Sequence, residues 1–295
     1  VRVRRRWWAV GAALALGWCL LAPAGAGATE DLAEEYVALG DSFAAGPLIP
    51  PQESLDPCYR STVDYPHVLA ESLRVKTFRD VTCSGATTAN VLHTPQRATT
   101  PGLPARPPQI EALTGRTTLV TVSIGANDIG LATLALSCFN ALPPPAGRSC
   151  KATQTEGGVD RGARLVDSVA GRLADTLDAI RDRAPKARVL ITSYANYIRP
   201  GGCYPAQPVW AQDADYMQGL VNRLGRVTAG VANQHGAEYM DFIRPGRGHD
   251  GCQLNDNWAN VVVPGTTLGL VPLHPTALGE RNFARILEEH LNDEL

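Results

Sequence analysis

Ser42 lies in the segment Gly40-Asp41-Ser42-Phe43-Ala44-Ala45-Gly46, directly after the apolar run Tyr36-Val37-Ala38-Leu39. A hydroxyl between two glycines at the end of a buried strand can be an exposed nucleophile, provided a base takes its proton. Alone, a serine in such a place reads better as a turn or helix-cap residue. The same strand-end placement recurs at Ser84-Gly85-Ala86-Thr87 and at Gly125-Ala126-Asn127-Asp128, where Gly and Asn also suit ordinary turns. Far along the chain, Val271-Pro272-Leu273-His274-Pro275 brings an imidazole ahead of a helix that Pro275 is expected to open in its first turn.

Positioning such groups requires a rigid frame. Tyr36 to Leu39, Thr118 to Ile124, Arg188 to Tyr194 and Ala237 to Phe242 are short apolar runs bounded by turn residues, as buried strands are. Leu165, Val166, Val169, Leu173, Leu177 and Ile180 form one helical stripe, and Met217, Leu220, Val221, Leu224, Val227 and Val231 form another. Strands alternating with long helices predict an α/β fold with a parallel sheet covered on both faces. In such folds functional groups gather beyond the carboxyl ends of the strands, which is where the segments above fall.

With 44% hydrophobic and only 19% charged residues, the chain can fill a large single core, and a disordered acidic tail or a basic nucleic-acid face is excluded. Arg2, Arg4, Arg5 and Arg6 precede an apolar run from Trp7 to Leu21 and the small residues Ala26-Gly27-Ala28. This predicts a signal peptide over 1–28 and a mature domain over 29–295, with export and no lasting membrane span. Trp18 before Cys19 argues against a lipid anchor, while Arg5-Arg6 leaves Sec and twin-arginine export both open. Without those four arginines, 29 acidic residues face 23 basic ones, and the formal charge moves from −2 to −6.

Loss of Cys19 leaves Cys58, Cys83, Cys138, Cys150, Cys203 and Cys252, an even set that in an exported protein predicts three disulfides. Their connectivity stays open, with pairing in chain order the economical arrangement. No C-x-x-C pair and no histidine at ligand spacing supports zinc, so no metal is expected. His67, His93, His235, His249 and His290 read as surface or loop residues.

Gly-Asp-Ser at 40 to 42, Gly85, Gly-x-Asn-Asp at 125 to 128 and His274, in that order, resemble the GDSL esterase/lipase group, the SGNH hydrolases. The resemblance spans essentially the mature chain and implies a flavodoxin-like three-layer α/β/α fold. It makes Ser42 the nucleophile, His274 the base, and the Ser42 and Gly85 amides with the Asn127 side chain an oxyanion hole. Preorganised donors of that kind stabilise the charge that an attacked ester carbonyl builds on oxygen. Asp41 and Asp128 are expected to brace loops.

Many family members carry Asp three residues before the histidine; here Val271 stands there. The likeness is greatest to secreted actinobacterial members with three disulfides, which implies Cys58–Cys83, Cys138–Cys150 and Cys203–Cys252. It also implies a backbone carbonyl, assigned here to Val271, that orients His274. Asp250 or Asp256 is the competing source of a carboxylate.

The resulting expectation is a secreted, monomeric esterase or lipase without cofactor, acting on a lipid or acyl ester, with Pro47 to Pro51 either an acyl-pocket wall or a plain surface loop. A carbohydrate O-deacetylase of the same group, and an inactive cell-envelope binding protein, are the alternatives. A degenerate binding protein would be expected to have lost Ser42 or His274, and both are present. A dinucleotide-binding domain is excluded, since no G-x-G-x-x-G follows a strand.

Overall fold

The computed structural model describes residues 34–53, 58–97 and 104–293; the leader expected over 1–28 lies outside the described residues. Five strands, β1 (Glu35–Gly40), β2 (Thr77–Asp80), β3 (Leu119–Ser123), β4 (Arg188–Thr192) and β5 (Glu238–Met240), form one sheet in the order β2-β1-β3-β4-β5. Every pairing is parallel, with Tyr36 beside Phe78 and Leu119, and Val120 beside Val189. The central strands are apolar because both faces are covered: every residue of β1 and β3 is buried. The strand missing from the sequence reading is β2, whose Thr-Phe-Arg-Asp carries two charges and lies at the sheet edge.

The helices are α1 (Ser42–Ala45), α2 (Tyr65–Ser72), α3 (Thr88–Leu92), α4 (Leu131–Leu136), α5 (Cys150–Gln154), α6 (Arg161–Asp167), α7 (Ala170–Arg183), α8 (Ala211–Gln234) and α9 (Ala277–Asp293). The chain leaves β1 toward one edge and returns to β3 toward the other, so right-handed crossovers place their helices on opposite faces. Accordingly α2 packs with α9, while α7 packs with α3 and α8. The predicted long stripe from Leu165 to Ile180 is two helices: the chain turns at Ser168, whose hydroxyl donates to the Leu165 carbonyl, and Leu165 is left exposed. On α8 the predicted face holds, with Met217, Leu220, Val221, Leu224 and Val231 buried.

Pro275 does not open α9 but precedes its cap. The Thr276 hydroxyl accepts the Gly279 N–H at 3.1 Å, and the Thr276 carbonyl accepts the Glu280 N–H. Disulfides join Cys58 to Cys83, Cys138 to Cys150 and Cys203 to Cys252. Among the described residues, no helix is long and apolar enough to cross a membrane.

Candidate active site

The order of the sheet reverses between β1 and β3, and this crevice receives the loops that carry Ser42 and Asn127. At the end of β1, Gly40 has φ +147°, and a Cβ there would lie 2.6 Å from the Ser123 carbonyl oxygen, so only glycine lets the turn close on β3. The buried Gln109 amide clamps the same residue, accepting the Gly40 N–H and donating to its carbonyl, both at 2.8 Å. Asp41 caps the single turn of α1 by accepting the Phe43 N–H at 2.9 Å, which leaves Ser42 at the turn's first position.

His274 Nε2 lies 2.6 Å from Ser42 Oγ, and His274 Nδ1 lies 2.7 Å from the carbonyl oxygen of Pro272. A carbonyl can only accept, so Nδ1 carries the proton and Nε2 is the free base that accepts from the serine hydroxyl. The orienting carbonyl is thus that of Pro272, not of Val271. Leu273 adopts φ +61°, a left-handed turn that folds the carbonyl of the residue before it under the ring. Val271 instead lines the outer cleft. Neither candidate carboxylate reaches the histidine: Asp250 binds Arg199 and the Cys252 N–H, and Asp256 pairs with His249. Burial lowers the His274 pKa below its ordinary value, with the Pro272 carbonyl acting in the opposite direction.

The other expected groups converge on the same place. Among the described residues, no hydrogen bond engages the main-chain N–H of Ser42 or Gly85. Gly85 holds φ +81°, and the Cys58–Cys83 disulfide pins the loop just ahead of it. Asn127 Nδ2 donates one N–H to the Ala86 carbonyl at 2.8 Å, leaving its second N–H to face the cleft it lines with Ser42 and Gly85. Asp128 joins these loops by accepting from the Thr88 N–H and hydroxyl, with Arg172 3.3 Å away. Asp41 and Asp128 therefore brace, as expected.

Sequence reasoning missed Tyr194. Its hydroxyl donates to Asp41 Oδ2 at 2.6 Å and accepts the Ala126 N–H at 3.0 Å, so one buried phenol ties the Ser42 turn to the Asn127 loop. Burial lifts the Asp41 carboxyl to about 7, against the pull of the Tyr194 hydroxyl and the Phe43 amide.

Two spaces meet at Ser42, Asn127 and His274. The outer cleft, about 410 Å³, is walled by Pro47, Leu48, Tyr59 and Val271. The inner slot, about 60 Å³, runs between Phe43, Leu131, Met217 and Val221. Pro47 and Leu48 of the proline-rich segment do form a cleft wall. Among the remaining histidines, His235 pairs with Asp178 and His290 with Glu238, away from the serine.

Residues 38–281 match the sequence model of the GDSL-like Lipase/Acylhydrolase family. Lipase 2 of Streptomyces coelicolor is 34% identical over 270 residues, covering 88% of this chain and 85% of its own. Two solved structures, phospholipase A1 from Streptomyces albidoflavus and the extracellular lipase from Streptomyces rimosus, superpose with a TM-score of 0.69 each. They are 27% and 28% identical, and each alignment covers 87% of this chain and 99% of the other.

Proposed function

From the premise that the chain belongs to the GDSL-like lipase/acylhydrolase family and is a carboxylic ester hydrolase, we propose that Ser42 and His274 cleave lipid or acyl esters through an acyl-enzyme. The observation that carries this reading is the 2.6 Å contact between Ser42 Oγ and His274 Nε2, with Nδ1 already committed to the Pro272 carbonyl. As Oγ attacks the ester carbonyl carbon, its proton passes to Nε2, and the C=O electrons move onto oxygen. The resulting oxyanion lies among the Ser42 and Gly85 N–H groups and the second Asn127 N–H. Collapse breaks the ester C–O bond, and the leaving alkoxide takes the proton from Nε2. Water then attacks the acyl-serine with Nε2 again accepting a proton, and the acid departs as Ser42 is restored.

The walls favour an acyl substrate. Aliphatic and aromatic side chains line both spaces, and the outer cleft falls in the size range of small-molecule sites, roughly 300 to 1,000 Å³, whereas the inner slot does not. The outer cleft therefore holds the bulk of the ester, and the slot receives a narrow apolar end. A polysaccharide deacetylase would instead need polar groups along its walls to meet sugar hydroxyls. The S. rimosus relative is described as extracellular, and three disulfides suit an oxidising compartment, which supports a secreted enzyme.

A series of chromogenic esters, from acetyl to long acyl, tests the assignment on purified protein beside Ser42→Ala. Turnover should favour acyl chains longer than acetyl and fall by several orders of magnitude in the variant. Undiminished hydrolysis by Ser42→Ala would remove the serine from the mechanism, and strict preference for acetylated sugars would overturn the acyl-ester reading.

A further inference from the structure

We propose that Asp64, His67 and Asp80 form a binding site for a first-row divalent cation of the zinc type, separate from the ester-cleaving centre. Asp64 caps α2, where its Oδ1 accepts the His67 N–H at 2.9 Å. His67 lies one turn further on, and Asp80 is the last residue of the edge strand β2. His67 Nδ1 is 2.7 Å from Asp64 Oδ1 and 3.6 Å from Asp80 Oδ2, and one ligand atom from each residue falls within 4.8 Å of the others.

A second observation points to a ligand. Asp64 Oδ2 and Asp80 Oδ2 are buried and receive no N–H or O–H from another described residue, on side chains 0% and 2% exposed whose carboxyl groups face each other. Buried carboxylate oxygens left without a partner are costly, and a structure that retains two beside an imidazole gains by placing positive charge between them. Glu280 adds a third carboxyl group nearby: its Oε2 accepts the Tyr65 N–H, while its Oε1 is also buried without a partner. The neighbouring Arg60 guanidinium donates to Glu53 and to the Thr82 carbonyl and also attracts the Asp64 and Asp80 carboxyl groups, so part of the positive charge they face comes from the protein.

The donor set selects the cation. Ligands about 2.0 to 2.2 Å from a tetrahedral zinc are roughly 3.3 Å apart; His67 Nδ1 lies 3.6 Å from Asp80 Oδ2, near that spacing, while its 2.7 Å contact to Asp64 Oδ1 is a hydrogen bond that the metal would replace. Calcium takes six to eight oxygens. Here Asp64 Oδ1 and Asp80 Oδ1 already accept the amides of His67 and Thr82. The His67 ring stands edge-on to Phe78 at 5.0 Å, which fixes Nδ1 inward, and its 21% exposed side chain leaves an approach for the ion and for a water in the fourth position.

None of the three residues lines the cleft or the slot at Ser42. Instead the site joins β2 to α2, and the Asp64 Cβ supports Gly46 at the end of the nucleophile turn, where an added Cβ would approach within 3.1 Å. Its role is therefore to stabilise the fold behind that turn, as a structural metal does.

Calorimetric titration and thermal unfolding of chelator-stripped protein with zinc chloride test the proposal, with calcium chloride as the comparison. The expected result is one zinc per chain, a saturable rise in Tm that calcium does not reproduce, and at least tenfold weaker binding in both His67→Gln and Asp80→Asn. His249→Gln, which removes another exposed Asp-paired histidine, should bind zinc like the parent. His67→Gln alters a partly exposed side chain, so its zinc response is readable even if Asp80→Asn folds poorly. No stoichiometric zinc, or equal affinity in His67→Gln, would overturn the site. So would a parent indifferent to zinc alongside an Asp80→Asn variant of higher Tm, since the two carboxyl groups would then be sharing a proton rather than awaiting a metal.

Discussion

A neutral carbonyl in place of a triad carboxylate sets the behaviour of His274. The Pro272 oxygen fixes the reactive tautomer but offers the imidazolium no opposite charge, and burial disfavours that cation further. In the proposed mechanism the base works only when neutral, so kcat/KM should fall as pH drops through a midpoint below the ordinary histidine value of 6.5 and stay level above it. Rate profiles of the parent, Asp250→Asn and Asp256→Asn check this. Both variants should remain within about tenfold of the parent, whereas loss of a triad aspartate costs roughly 10⁴-fold. A midpoint above 6.5, or collapse of either variant, would put a carboxylate against the imidazole. Asn127→Ala should lower kcat by roughly 10²-fold to 10³-fold with little change in KM, the scale of one oxyanion donor; an unchanged kcat would place the oxyanion elsewhere. Ser42 and Asn127 were legible because each sits in a short motif at the end of an apolar run, and Gly85 and His274 through the order of the motifs along the chain. The Pro272 carbonyl was not, because every residue carries one, and only the left-handed turn at Leu273 decides which lies under the ring.

At the scale of elements, the strands were legible where burial on both faces makes them continuously apolar, as in β1 and β3. Edge strand β2 was not, since half-exposed Thr77 to Asp80 lacks such a run, and the break between α6 and α7 is invisible to periodicity. Tyr194 escaped notice for a related reason: it follows β4 as one more apolar residue, and its partner Asp41 is 153 positions away. Yet this phenol is what holds the turn after β1 to the loop after β3. Tyr194→Phe keeps the ring but strands the Ala126 N–H and one Asp41 oxygen, and a buried group left unpaired costs about 1 to 3 kcal/mol. Some of that cost should appear as misplacement of Asn127 against Ser42. The expected outcome is a kcat roughly tenfold or more below the parent with KM nearly unchanged, since catalysis is sensitive to small displacements of positioned groups. Steady-state kinetics on short-chain esters would show it, and a parent-like kcat would mean that the Asp41 N–H to Ser123 carbonyl bond holds the turn against the end of β3 without help.

For the whole molecule, burying acidic groups at the crevice couples global stability to pH. Asp41 is 1% exposed, and its carboxyl titrates at about 7 in the fold against 3.8 as its ordinary value. Between these values the folded chain binds a proton that the unfolded chain has released. The contribution of Asp41 is therefore fully present below pH 3.8 and is lost as pH rises through about 7. The proposed base imposes the opposite demand, because His274 would gain competence as pH rises, so the turn that carries Ser42 is most stable where that base is least active. Asp41→Asn separates the two demands. The amide oxygen can still accept the Phe43 N–H or the Tyr194 hydroxyl, but it binds no proton across this range. Thermal unfolding from pH 4 to 8 should thus give a Tm that declines less steeply with pH in Asp41→Asn than in the parent, with the two curves approaching or crossing toward the alkaline end. Parallel curves over the whole range would show that Asp41 keeps an ordinary carboxylate pKa despite its burial, and that the Tyr194 hydroxyl and the Phe43 amide together offset its loss of water.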